Sequence, residues 1–169
     1  YGISGSLQFS MIPAHITDQP MHILALVLFI AGFAFKISAV PFHLWTADVY
    51  EGAPVSITAF LSVVSKAAVL FTLVALLYKV FPNMTSTWSG MMTILAYLTI
   101  LIGNLFAVRQ ENIKRFLAFS SITQVGFILI AILSASKEGS ASLIYFLIIY
   151  TFSNLAAFGV VNIISATSG

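Results

Sequence analysis

Residues 55–80 read VSITAFLSVVSKAAVLFTLVALLYKV, a long apolar run broken only by hydroxyl side chains and two lysines. A helix needs about 20 apolar residues to cross the hydrocarbon core of a bilayer. A membrane-spanning strand would instead alternate apolar and polar residues, and this run does not alternate. The stretch therefore predicts a transmembrane helix.

Similar apolar runs lie on both sides of this stretch and are joined by short polar links. Together with 55–80, they predict spans near residues 23–40, 91–108, 116–135 and 143–164. Lys137-Glu138-Gly139, between the last two spans, is predicted to form a tight turn. The pattern indicates an all-α, polytopic transmembrane helix bundle of about five spans.

The composition favours the lipid bilayer as the surroundings of this chain. Hydrophobic residues make up 60% of it and charged residues 7%, whereas a soluble domain carries about 25% charged residues. The net charge of +2 is too small to predict a nucleic-acid partner. The chain begins at Tyr1 without a signal peptide and ends directly after an apolar run, so we expect it to be part of a longer protein.

Motifs of soluble catalysis or cofactor binding are missing from the sequence. There is no cysteine, which excludes disulfides, thiolate metal sites and cysteine catalysis. We find no phosphate-binding glycine loop and no HExxH metal motif. We therefore predict no cofactor and no metal site in this chain, and any redox chemistry would belong to partner proteins.

Two lysines lie within predicted spans. Lys66 is near the middle of 55–80, and Lys36 is near the end of 23–40. A charged lysine at mid-bilayer costs about 3 kcal/mol or more. Removal from water disfavours the ammonium, so such a lysine can take up and release a proton. The alternatives are a structural ammonium at Lys66, bound by Ser62 and backbone carbonyls, and snorkelling of Lys36 to the interface.

Pro41 is predicted to break the first span. It lacks an amide hydrogen and clashes with the preceding turn of a helix, and broken helices recur at transporter sites. His43 follows directly, and an imidazole has an ordinary pKa near 6.5 that suits a proton carrier. An interfacial histidine at a helix end is the alternative.

Charged residues also lie in the links between the predicted spans. Asp48 and Glu51 are assigned to a loop that also contains Trp45 and Tyr50, which we interpret as interfacial aromatic residues. The two carboxylates are expected to cap the next helix or to pair with the basic link 109–115. Lys114 begins the fourth span, where it is either a proton carrier or an ordinary positive-inside anchor.

The basic residues also predict the orientation of the spans. Arg109, Lys114 and Arg115 lie on one side, and Lys79 and Lys137 on the other. The positive-inside rule places the first side in the cytoplasm or matrix, by a margin of one charge.

Three blocks of sequence resemble a known family. They are KISAVPFHLWTADVYEGAP at 36–54, TAFLSVVSK at 58–66 and NIKRFLAFSSITQVG at 112–126. In this order they are similar to the antiporter-like membrane subunits of respiratory complex I, the NADH-quinone oxidoreductase, in the branch called subunit N, or subunit 2 in mitochondria.

The resemblance implies a fold and a function. Such subunits have about fourteen helices with two inverted five-helix repeats, and this chain would supply the seventh to the eleventh. Lys36, His43, Lys66 and Lys114 would lie along a hydrated axis that carries protons, coupled to quinone reduction elsewhere in the complex. A glutamate before Tyr1 and a charged residue after Gly169 would complete this axis.

The resemblance also implies the setting of the chain. Its partners would be the other membrane subunits of complex I, lipid, protons and internal water. It would be a non-redox part of a proton-pumping enzyme in the bacterial plasma membrane, or alternatively in a mitochondrial or other organellar inner membrane. A cation/proton antiporter subunit and a purely structural membrane subunit remain the alternative functions.

Overall fold

The protein is all-helical in the part that the structure describes. The computed structural model describes residue 2, residues 4–134 and residues 137–168, without the side chains of 137, 138, 140 and 168. The α-helices are α1 (Ile12–His15), α2 (Pro20–Ile37), α3 (Leu44–Gly52), α4 (Val55–Phe60), α5 (Lys66–Val80), α6 (Thr85–Val108), α7 (Ile113–Leu133) and α8 (Lys137–Ser168).

Five helical segments of the described residues are long and apolar enough to cross a membrane. They are Pro20–Ile37, Val55–Val80, Pro82–Val108, Ile113–Leu133 and Ala141–Thr167, with mean hydropathy between 1.9 and 2.3. This confirms the predicted all-α bundle of about five spans.

Some helix ends differ from those predicted by hydropathy. α2 begins at Pro20 because proline has no amide hydrogen to lose at the first helical position. α8 already begins at Lys137, so the predicted tight turn at 137–139 is wrong and these residues form the first turn of a helix. The predicted end of the fourth span at Ala135 lies outside the described residues, and α7 ends at Leu133.

The second span contains a local change of helix type. α4 passes into a π-helical turn at Leu61–Ser65, and α5 follows directly from Lys66. A π-turn inserts an extra residue into the hydrogen-bonding ring, and such turns are frequent at functional sites. Lys66 is the first residue after this turn.

The chain breaks between α2 and α3. α2 ends at Ile37, because Ser38 takes a left-handed conformation with φ of 65°. The break therefore lies three residues earlier than Pro41, and α3 starts after it at Leu44. Thr99 of α6 accepts the Val40 amide at 3.0 Å, which satisfies a backbone donor that the break leaves without a helical partner.

α6 and α7 form the most extensive helix pair. Two glycines allow their backbones to approach. A β-carbon at Gly103 would lie 2.5 Å from the Thr123 hydroxyl, and one at Gly126 would lie 3.0 Å from the backbone nitrogen of Ile100. Small residues serve this purpose in membrane bundles, where close packing holds helices together.

Two apolar clusters fill the interior. The first joins α2, α5, α6 and the second half of α7, and the second joins α3, the end of α6 and the first half of α7. Along α7 the first cluster begins at Val125, and the second takes Ala118, Phe119 and Ile122. Ser121 therefore lies near the point where the clusters meet.

Candidate functional site

Lys66 is the central charged group of the interior. Only 2% of its surface is exposed, and its ammonium donates a hydrogen bond of 2.8 Å to the Ser121 hydroxyl of α7. The ammonium also lies 5.7 Å from the centre of the Tyr50 ring, within cation–π range. No carboxylate among the described residues pairs with it.

The hydrogen-bonding capacity of Lys66 is only partly used. An ammonium has three donor hydrogens, and the described residues accept one of them. Ser121 donates its own hydrogen to the Ala118 carbonyl at 2.8 Å, so its oxygen is free to accept from Lys66. Two donor hydrogens of the ammonium therefore remain without an acceptor among the described residues, which suits a group that changes its protonation state.

Ser62 does not bind the ammonium, contrary to the structural alternative predicted for Lys66. Its hydroxyl instead lies 3.2 Å from the Tyr150 hydroxyl of α8, and Tyr150 also donates to the Ser62 carbonyl at 3.1 Å. Ser62 belongs to the π-turn. Tyr150 therefore ties α8 to the turn of backbone that precedes Lys66.

Tyr50 is a buried residue, and its predicted place in an interfacial aromatic belt is wrong. It is fully buried, and its ring packs edge-on against Phe158 with centroids 6.3 Å apart. Its hydroxyl makes no hydrogen bond of good geometry, although Ser62, Ser121 and Tyr150 lie close enough to interact with it. Four hydroxyl groups thus lie close to one another, and one of them, that of Ser121, binds the Lys66 ammonium.

His43 lies in the break before α3 and is buried in an aromatic niche. Phe106 and Phe119, which stack on each other at 5.5 Å, meet the imidazole edge-on at 6.3 Å and 6.4 Å. Neither ring nitrogen has a hydrogen bond of good geometry within the described residues, although the Pro41 backbone lies nearby. A buried imidazole with both nitrogens unsatisfied calls for a water or another partner.

Asp48 and Glu51 lie on α3, so their predicted loop is wrong. Three positions apart, they share one face of this helix, and Arg115 of α7 pairs with Asp48 at 2.8 Å and with Glu51 at 2.6 Å. Asn112 adds a hydrogen bond of 3.0 Å to Glu51. The two carboxylates therefore fix α3 to the start of α7, and the structure shows pairing rather than capping.

Lys114 belongs to the first turn of α7, and its side chain contacts the C-terminal end of α3. Its ammonium donates to the carbonyls of Glu51 at 3.2 Å and Ala53 at 3.1 Å. A cation at this end of a helix satisfies free carbonyls and complements the helix dipole. This geometry gives Lys114 an anchoring contact, and its proton-carrying role stays a prediction.

Lys36 lies in the last turn of α2 and is exposed. It borders a groove of about 510 Å³ between α2 and α5, whose other lining residues are mostly apolar. Its ammonium has no hydrogen-bond or ion-pair partner in the part of the chain that the structure describes. Its predicted glutamate partner would lie outside this chain, so its pairing stays a prediction.

The predicted carriers are not in direct contact. Within residues 4–134 and 137–168, no hydrogen bond joins any two of Lys36, His43, Lys66 and Lys114. Nothing in the sequence connects Ser121 or Tyr150 with Lys66, because the three residues lie on different spans. The described residues hold no group of three or more His, Asp or Glu side chains placed to bind a metal ion.

Comparison with known proteins gives a transmembrane family and relatives named as NADH-quinone oxidoreductase subunits. A family model described as NADH:quinone oxidoreductase/Mrp antiporter, transmembrane, matches residues 1–169. The NADH-quinone oxidoreductase subunit N of Phocaeicola vulgatus is 52% identical over 164 residues, which cover 97% of this chain and 35% of that protein. The chain therefore spans about a third of the length of the curated relatives that it matches.

Solved structures show the same fold. A chain of respiratory complex I from Thermus thermophilus, with bound aureothin, matches at a TM-score of 0.74 and 31% identity over 96% of this chain and 34% of that one. A chain of the Mrp complex from Dietzia sp. DQ12-45-1b matches at 0.82 and 23% identity over 94% and 29%. This second likeness shows the fold alone.

These similarities confirm the resemblance found in the sequence. The five apolar helices, the transmembrane family and the bacterial relatives also confirm an integral protein of the bacterial plasma membrane. The chain belongs to the NADH:quinone oxidoreductase and Mrp antiporter transmembrane family.

Proposed function

We propose that this chain is the part of a subunit N of NADH-quinone oxidoreductase that carries protons past the centre of the membrane. Lys66 is the obligatory station of this path. The observation that carries the proposal is its ammonium, 2% exposed and bonded to Ser121, without a carboxylate among the described residues.

The energetic cost of this arrangement supports a functional role. An unpaired buried charge is expensive, and it persists only where water or a change of protonation relieves it. Small movements of a counter-charge or of water can then decide whether Lys66 holds its proton. One pKa unit corresponds to about 1.4 kcal/mol, so modest rearrangements are enough to drive or block a transfer.

The other ionisable groups have distinct places in the proposal. Lys36, at the groove between α2 and α5, exchanges protons with Lys66 through water and pairs with a carboxylate from the rest of the subunit. His43, with both ring nitrogens unsatisfied, bridges towards the second half of the path. Lys114 holds the end of α3 and lies at the entry from the α6–α7 link.

The chain contributes no redox centre in this proposal. NADH oxidation and quinone reduction belong to partner subunits, and the exposed apolar helix faces contact those membrane subunits or lipid. The resemblance to subunit N of Phocaeicola vulgatus supports a redox partner. The Dietzia Mrp complex shares the fold, so a redox-independent cation/proton antiporter is the second candidate.

The test compares two lysines of the same membrane span, Val55–Val80, in the intact complex. Lys66→Ala and Lys79→Ala are reconstituted into proteoliposomes at matched complex content, and quinone reduction and proton pumping are measured together. Lys79 is exposed near the end of α5, so its replacement is the control. We expect Lys66→Ala to lose most pumping and Lys79→Ala to keep it.

The remaining outcomes separate the alternatives. Unchanged pumping per complex in Lys66→Ala would leave the lysine with a structural role and contradict the proposal. Transport that requires sodium and proceeds without NADH would favour the antiporter.

A further inference from the structure

A polar groove lies between α7 and α8. Its volume is about 280 Å³, and half of the residues beside Tyr150 that line it are polar, namely Ser120, Gln124, Ser153 and Asn154. The larger groove between α2 and α5 has a mostly apolar lining. Lipid tails offer no hydrogen-bond partners to amide and hydroxyl groups, so a surface that contacts only lipid is not expected to concentrate them.

The groove has unfilled hydrogen-bonding capacity. The side chains of Ser120, Gln124 and Ser153 make no hydrogen bond within the described residues. Asn154 uses its amide nitrogen for the Tyr150 carbonyl at 2.9 Å, which leaves its side-chain oxygen available. A water molecule takes about 30 Å³ in the liquid, so the groove has space and partners for several.

Tyr150 lies between this groove and the surroundings of Lys66. Its side chain lines the groove, and its hydroxyl bonds to Ser62, one helical turn before Lys66. Ser121, the acceptor of the Lys66 ammonium, also interacts with the Tyr150 hydroxyl. Tyr150 is thus in contact with both the groove and the hydroxyl cluster beside Lys66.

We propose that Lys66 exchanges protons with water in the α7–α8 groove through the hydroxyl of Tyr150. This inference rests on the proposed function, since it requires Lys66 to release a proton. Lys66 is buried and is not among the residues that line the groove. The link is the pair of hydroxyls of Ser121 and Tyr150, with Ser62 holding the tyrosine in place.

Each transfer along this link is balanced. The Lys66 ammonium gives one proton to the Ser121 oxygen. At the same time, the Ser121 hydroxyl turns from the Ala118 carbonyl, its acceptor in the structure, and passes its own hydrogen to the Tyr150 oxygen. The Tyr150 hydroxyl turns from the Ser62 carbonyl and passes its hydrogen to a water of the groove. Lys66 ends as a neutral amine, both hydroxyls are restored, and one proton has moved to water.

The first test removes a single oxygen atom. Tyr150→Phe keeps the ring that packs in the helix bundle, and Tyr145→Phe is the control, since Tyr145 is on the same helix and 69% exposed. In the reconstituted full complex we expect Tyr150→Phe to pump about tenfold more slowly, the factor that one lost hydrogen bond in the path corresponds to. Its solvent deuterium isotope effect should also change.

The isotope effect distinguishes a proton carrier from a packing residue. A merely structural loss lowers the yield of complex and leaves the isotope effect per complex unchanged. Wild-type pumping and a wild-type isotope effect in Tyr150→Phe would overturn the inference. If Lys66→Ala abolishes pumping in the same assay, that result would leave the proposed function standing.

The second test probes water in the groove. Ser153→Cys and its neighbour Phe152→Cys, which is 70% exposed on an apolar face, are treated with a water-soluble thiol reagent in the intact complex. We expect rapid labelling of Ser153→Cys and little labelling of Phe152→Cys. Equal, slow labelling would show that the groove is dry or filled by another segment, and would overturn the inference.

Discussion

The Lys66 ammonium and the Ser121 hydroxyl lie 2.8 Å apart, across the contact between the second and the fourth membrane span. The Ser121 hydroxyl donates its hydrogen to the Ala118 carbonyl, so its oxygen accepts the hydrogen bond from the lysine. This bond fixes the ammonium at the place where the two apolar clusters meet.

Loss of this bond should destabilise the protein while Lys66 is charged. Ser121→Ala leaves a buried donor without its acceptor, which costs about 1–3 kcal/mol. In a Lys66→Met background the same change should cost much less, because the donor is gone. Thermal unfolding of the purified complex in all four combinations measures the coupling. Equal losses in both backgrounds would show that Ser121 acts independently of Lys66.

Arg115 should hold α3 against α7. Its ion pairs with Asp48 and Glu51 are partly exposed, so each of them is weak. We expect Arg115→Gln, which removes both pairs, to speed hydrogen exchange of the α3 amides severalfold. Arg109→Gln is the control, because Arg109 has no side-chain partner among the described residues. Equal hydrogen exchange in both variants would show that Arg115 does not hold α3 against α7.

A side chain at Gly126 should destabilise the protein. A β-carbon there would lie 2.5 Å from Cγ1 of Ile100 and 3.1 Å from the Ala96 carbonyl. Overpacking of this kind costs about 1–3 kcal/mol, which we expect Gly126→Ala to show in thermal unfolding. Gly90→Ala has open space around the new methyl group and should be neutral or slightly stabilising. Similar melting of both variants would contradict the close packing of α6 on α7.

The fold could largely be predicted from hydropathy, because the number of spans follows from run length alone. The break between α2 and α3 could not be placed. Pro41 signals a disruption, but the left-handed Ser38 and the Thr99 contact that fix its position depend on tertiary structure. The sequence predicts a loop around Asp48 and Glu51 for the same reason, since a short helix after a break has no long periodic pattern.

Only part of the candidate site could be predicted from the sequence. Lys66 stands out because a charge in the middle of an apolar run is costly. Its partner Ser121, and Tyr150 beside it, are ordinary polar residues on two different helices, and spacing along a helix shows only which residues of that helix lie on one face. Ser121 lies 55 positions from Lys66, and Tyr150 lies 88 from Ser62. Which faces meet is decided by helix packing, on which the spacing within each helix gives no information.

The most direct test of the account is Lys66→Arg in the reconstituted complex. Arginine keeps the positive charge and can donate to Ser121, but it does not lose its proton at any working pH. Lys66→Met, which removes the charge, is measured beside it at matched complex content, with Lys79→Arg as the control. We predict that Lys66→Arg and Lys66→Met both lose most proton pumping, because neither can take up and release a proton. Pumping at the wild-type rate in Lys66→Arg would show that Lys66 serves only as a fixed charge, and would contradict the account.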